Sequence, residues 1–233
     1  MQTETIRPDQ TLSDYLWQKT VEYQNQSLHS NFISGLVAQC LDPSQFGGYL
    51  VDDAVYCYEV SQSLKVAAGR SNDDKDLQKF LESSATNWFE YWKEMKEIWH
   101  IENRGGVRLG DAASKYVNHI QDVAESEIPV YTIIALIPCA KLWPWLGQKI
   151  GSGTNNFGIF SSWVKANLIP ESVGYQKYEE FVQRAYEAGK VTADKALDIF
   201  KASIKHEVDF FNSVNRCHFQ SAGRDEINSR NEL

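Results

Sequence analysis

The chain has 233 residues, of which 42% are hydrophobic, 12% aromatic and 23% charged. That is the composition of a globular domain, and it excludes fibrous and low-complexity classes. A formal net charge of −8 argues against nucleic acid and anionic membranes as main partners, because both reward basic surface.

No apolar run approaches the ~18 residues of a bilayer span, since Ile128 to Leu142 is interrupted by Pro138 and Lys141. The polar opening, Met1 to Asp14, predicts no signal peptide. Cys40, Cys57, Cys139 and Cys217 form no CxxC pair, so they read as reduced thiols in a cytoplasmic protein.

In chain order, nearly every segment predicts helix. Leu12 to Leu28 has apolar residues at helical spacing. Asn31 is placed to cap Phe32 to Gln39. Asp42-Pro43, a cap followed by proline at the first helical position, starts a long helix ending near Gly69. A polar loop at Ser71 to Asp74 precedes Lys75 to Glu102, whose Leu77, Leu81, Trp88, Trp92, Met95 and Trp99 share one side. Gly105-Gly106 breaks it. Asp111 is expected to cap Ala112 to Ser126, and a kinked helix follows from Ile128 to Ile150. Phe160 to Leu168, Val173 to Glu187 and Thr192 to Asn215 complete the set. No sustained period-two alternation predicts a strand. The expectation is one all-α domain over 1–220, of about eight helices, with a polar tail over 221–233.

Cys139 is the first candidate for chemistry. A free cysteine is usually a small core hydrophobe. Here Pro138 frees a carbonyl one turn back and bends the helix at the thiol, which favours a cavity-facing side chain. Asp53 lies mid-helix between Leu50-Val51 and Val55-Tyr56, so either Asp52 or Asp53 points inward. Glu207 sits in Lys205-His206-Glu207, a charged triple of the kind usually found on the surface. Tyr116 reads as a core tyrosine with a satisfied hydroxyl. For a metal, His119/Asp122 and His206/Asp209 are spaced i, i+3, but no Glu-x-x-His pair and no third cluster complete a site. His29, His100 and His218 add none, so no metal and no cofactor is expected.

Four stretches resemble the TenA/THI-4 family, the thiaminase II group of the haem-oxygenase-like fold. They are Leu28 to Ile33 with Phe46 to Tyr56, then Tyr116 to His119, then Leu136-Ile137-Pro138-Cys139, and last His206 to Phe211. In order, they are similar to the family's His-Pro-Phe entry with its Gln-Asp-x-x-Tyr helix, its Tyr-x-x-His helix, its Leu-Leu-Pro-Cys, and its closing Tyr-Glu-x-x-Phe-Trp helix. The resemblance runs from about Leu12 to Phe219. It implies a single-domain haem-oxygenase-like bundle with an internal cavity, and a hydrolase that cleaves thiamin or its degraded aminopyrimidine.

Carried over, Cys139 resembles the nucleophile that adds to the ring. Glu207 resembles the carboxyl that exchanges protons with ring and leaving group. Asp53 resembles the carboxylate that orients the aminopyrimidine. Tyr56 and Tyr116 resemble pocket tyrosines. The chemistry fits, because thiolate is the soft nucleophile a heteroaromatic ring needs, and a carboxyl of raised pKa is a natural acid. The expected partner is a small heteroaromatic molecule, and family habit implies a homodimer or homotetramer.

Departures cluster at the walls. The usual aromatic after the cysteine is Ala140, a pocket tyrosine four residues on is Trp143, and another falls near Asn167. The Gln before the aspartate is Asp52. Trp143 and Asn167 are therefore expected to touch the substrate, and a different ring or amine-bearing substrate stays open. The alternatives are a metal-dependent oxidase on the same fold and a small-molecule-binding protein without catalysis.

Overall fold

The structure, a computed structural model, describes residues 6, 7 and 9–217; the expected polar tail over 221–233 and His218 lie outside them. Among the described residues there are ten α-helices, two more than the sequence reading expects, and no strand.

One extra helix comes from the segment Leu12 to Leu28. It forms α1 (Leu12–Gln18) and α2 (Val21–Leu28). The buried Thr20 divides them: its hydroxyl donates to the Leu16 carbonyl at 2.9 Å, and Gln24 Nε2 donates to the Trp17 carbonyl. Such side-chain bonds compete with the helical ladder. In α3 (Asn31–Val37) the cap is Ser30, whose Oγ accepts from the Ile33 N–H. Asn31, expected as the cap, donates its side-chain amide to the Val214 carbonyl.

Asp42 and Pro43 open α4 (Pro43–Gly69) as expected, and Asp74 caps α5 (Lys75–Ile98) through the Leu77 N–H. At α6 (Asp111–Ser126) the cap residue is Gly110, and Asp111 is the first helical residue. The Gly110 N–H donates to Asp52 Oδ2 at 3.2 Å. Asp52 therefore ties α4 to the start of α6, which leaves Asp53 as the inward carboxyl. The chain continues as α7 (Val130–Ile150), α8 (Ser161–Asn167), α9 (Tyr175–Glu187) and α10 (Ala193–Phe211), with single 3₁₀ turns at Arg104–Gly106 and Gly158–Phe160.

Helix α7 corrects the expectation that no apolar run reaches spanning length. It continues for 21 residues through Pro138 and Pro144, and is apolar and long enough to cross a membrane. Yet 78% of its most apolar window is buried inside the protein. It is the central core helix, packed against α10, α9 and α6. Lys141 does not interrupt it because Glu179 of α9 accepts from its ammonium at 2.7 Å, with the Trp17 and Tyr175 rings alongside. On the other side of the core, α4 lies along α5 and α6.

The cysteine reading is corrected as well. Cys40 and Cys217 form a disulfide across a sequence separation of 177, and only Cys57 and Cys139 are free. No spacing rule shows this pairing. It arises because the segment after α10 returns to the corner between α3 and α4, where Asn215 N–H also meets Gln45.

Candidate active site

A cavity of about 300 Å³ opens between α4, α5, α7 and α8. Each helix supplies residues one turn apart, which places them on the same face. Asp53 and Cys57 come from α4, Asn87 and Tyr91 from α5, Cys139 and Trp143 from α7, and Trp163 and Asn167 from α8. Trp88 and Ala140 complete the wall.

Of the sequence-derived set, Cys139, Asp53, Trp143 and Asn167 line this cavity. Glu207, Tyr116 and Tyr56 do not line it. They form a buried layer directly behind the thiol. The Tyr116 hydroxyl donates to Glu207 Oε1 at 2.8 Å, and the Cys139 thiol approaches the same carboxyl. Tyr56 stacks on Tyr116 with ring centroids 4.6 Å apart. Its buried hydroxyl has no well-formed hydrogen bond among the described residues. Behind Tyr116 stands His206, its ring 5.6 Å away, and then His119, which shares a 2.8 Å hydrogen bond with Ser203.

The electrostatics follow from burial without a cation. Glu207 is 2% exposed. Burial pushes its pKa up to about 7, against the opposing pull of the Tyr116 and Cys139 hydrogen bonds. Asp53 also rises to about 7, mainly by burial and secondly by the Glu207 charge, while Tyr91 donates to its Oδ2 at 3.5 Å. Burial, then Glu207 and Asp53, hold the Cys139 thiol well above its ordinary value. Lys141 gives no relief, being committed to Glu179. The site thus holds a neutral thiol beside two carboxyls that titrate near neutrality. Groups that titrate near neutrality can exchange protons with a bound molecule at physiological pH.

The wall departures have visible consequences. Ala140 leaves room where an aromatic side chain would stand. Trp143 packs edge-on against Trp163 at 6.0 Å and against Phe211 at 5.5 Å. Asn167 lines the cavity and donates its side-chain amide to the Trp163 carbonyl. Sequence reasoning did not place Cys57, Asn87, Trp88, Tyr91 or Trp163 at the cavity. Cys57 could have been found, since it lies one helical turn beyond Asp53. Among the described residues, no group of three or more His, Cys, Asp or Glu side chains is placed to hold a metal ion.

A family model matches residues 17–216 of this chain, and its description is the TENA/THI-4/PQQC family. The chain belongs to that family. The TenA homologue of P. horikoshii OT3 superposes with a TM-score of 0.71 at 17% identity, covering 87% of this chain and 97% of its own. A thiaminase-like TenA protein of Sulfolobus solfataricus P2 gives 0.63 at 20% identity, covering 86% and 94%. The haem oxygenase of Leptospira interrogans gives 0.58 at 13% identity, covering 88% and 100%. At such identities the likeness shows the fold: all-helical, TenA-like and similar to haem oxygenase. A search of curated proteins finds no match.

Proposed function

We propose that this TenA-family protein hydrolyses a small aminopyrimidine, with Cys139 as nucleophile, Glu207 as proton carrier and Asp53 as the group that orients the ring amine. One observation carries the reading: a cavity-facing thiol backed by a fully buried carboxyl. In the reaction the sulfur bonds to a ring carbon. Its proton passes to the Glu207 carboxylate and from there to a ring nitrogen. An amine substituent leaves as ammonia with a proton that the attacking water makes good, whereas the thiazolium of thiamin leaves as the neutral thiazole. Water adds its hydroxyl at the vacated carbon, and breaking the carbon–sulfur bond returns the ring-nitrogen proton through Glu207 to the thiol. Tyr116 fixes Glu207 through its 2.8 Å hydrogen bond. Trp143 and Trp163 supply flat apolar walls for the ring, and the Asp53 and Asn167 oxygens accept from its amine.

The test is hydrolysis of 4-amino-5-aminomethyl-2-methylpyrimidine and of thiamin by the wild-type protein and Cys139→Ser. Turnover abolished by the substitution supports the reading. If neither compound is turned over, and neither raises the melting temperature at millimolar concentration, the reading fails.

A further inference from the structure

A second, larger hollow lies at another place on the bundle. It is about 600 Å³, against about 300 Å³ for the Cys139 cavity, and is within the range of small-molecule sites. The two share no lining residue. On α7, Val130 of this hollow stands nine positions before Cys139, which is about 14 Å along the helix. The walls are the turn between α4 and α5, the link from α6 to α7, and the last turns of α9.

We infer that this groove binds a small organic acid with an apolar body. Its floor is apolar, built from Leu77, Val130, Pro129 and Phe181. Its polar partners are mostly cationic: Arg70, Arg184 and Lys190 line it together with Asp73 and Asp74. In a chain of net charge −8, three cations against two carboxylates make it locally positive. None of the three cations belongs to an ion pair among the described residues. Asp74 is already committed, because its Oδ1 accepts from the Leu77 N–H at 3.0 Å.

The two guanidinium groups are held in place before any ligand arrives. Arg70 Nη1 donates to the carbonyls of Ala124 and Glu127 at the end of α6. Arg184 rests 4.4 Å from the Phe181 ring centroid. An anion meeting them costs little side-chain entropy, and a guanidinium suits a planar carboxylate better than an ammonium does. A neutral apolar ligand would fill the floor but leave the cations partly desolvated and unpaired. A cationic one would be repelled.

Calorimetric titration of the intact protein with octanoate, octanamide and octylammonium tests this. Octanoate is expected to saturate one site at millimolar concentration or below, with octanamide at least about tenfold weaker and octylammonium silent. The double variant Arg184→Gln/Lys190→Gln, with its fold checked by circular dichroism, should weaken octanoate about tenfold, the size expected of two partly exposed charge contacts. Equal binding of octanoate and octanamide to the wild-type protein overturns the inference without reference to any variant. So does no octanoate binding up to about 20 mM. Binding that survives the double variant but is lost in Trp163→Ala would place octanoate in the Cys139 cavity, and that too overturns it.

Discussion

At the scale of single residues, the site is a competition over one proton. The Cys139 thiol keeps it, because burial and two nearby carboxyls oppose a further negative charge. Glu207 accepts that proton only when ionised, and its pKa is about 7. The rate kcat/KM on an aminopyrimidine should therefore rise with pH through about 7, falling close to tenfold per pH unit below it. A profile flat from pH 5 to 8 would remove Glu207 from the proton path. Cys139→Ser should lower the rate by ~10³, about 4 kcal/mol of transition-state stabilisation, with little change in fold because oxygen for sulfur barely alters volume. Tyr116→Phe should cost less, since it removes an orienting hydrogen bond and no reacting atom; its mark would be a shifted pH profile. The sequence made Cys139 and Asp53 legible because helix neighbours constrain them: a proline before the one, an apolar frame around the other. Glu207 was not legible from its own neighbours, because Lys205-His206-Glu207 reads as surface. Only the packing of α10 on α6 and α7 buries it.

Among the helices, α7 organises the site. Its two prolines each remove one ladder hydrogen bond without ending the helix, since the surrounding helices hold it in place. One turn of α7 beyond Trp143 lies Gly147, where a Cβ would meet the Leu168 carbonyl oxygen at 2.4 Å. That oxygen also accepts from Ser152, so it cannot move away freely. Gly147→Ala should destabilise the protein by about 1–3 kcal/mol through overpacking. It should also disturb Asn167, the neighbour of Leu168 at the cavity wall. Urea denaturation reads the first effect, and ligand affinity the second; an unchanged midpoint would show that the loop after α8 yields. Helix caps with a side-chain mechanism were legible, as at Asp42-Pro43. The break at Thr20 and the cap at Ser30 were not, because each depends on where a hydroxyl points once the turn is packed. The Cys40–Cys217 disulfide was likewise hidden, being decided by the return of the chain to α3. By loop-closure entropy, a link across 177 positions contributes up to roughly 5 kcal/mol. Cys217→Ser should lower the denaturation midpoint in the absence of reductant. Dithiothreitol should bring the wild-type protein down to the same midpoint.

For the whole molecule, the same two carboxyls, Glu207 buried and Asp53 half-buried at the cavity wall, set how stability depends on pH. Asp53 and Glu207 titrate near 7 in the fold, but near the ordinary values of about 3.9 and 4.3 in the unfolded chain. Between about pH 4 and 7 the folded state therefore binds more protons than the unfolded state. Stability must then fall as pH rises across that window. The contribution is fully present below pH 4 and lost above 7, opposite in sign to that of a salt-bridged carboxylate. Acid protonation of exposed and paired carboxylates acts the other way, so the contribution of Glu207 is isolated by difference. Glu207→Gln keeps the shape, and its side-chain oxygen can still accept from Tyr116, but it removes the ionisation. At pH 8 the variant should be more stable than the wild-type protein, by on the order of a few kcal/mol given a shift of this size. At pH 4 the two should be nearly equal, and the difference should open progressively from there to pH 7. Equilibrium unfolding at the two pH values measures the difference directly. A variant less stable at pH 8 would mean that the carboxylate is held by donors rather than endured by the fold. Glu207 would then stay ionised below neutrality, and its part as the proton acceptor for Cys139 would have to begin at a lower pH.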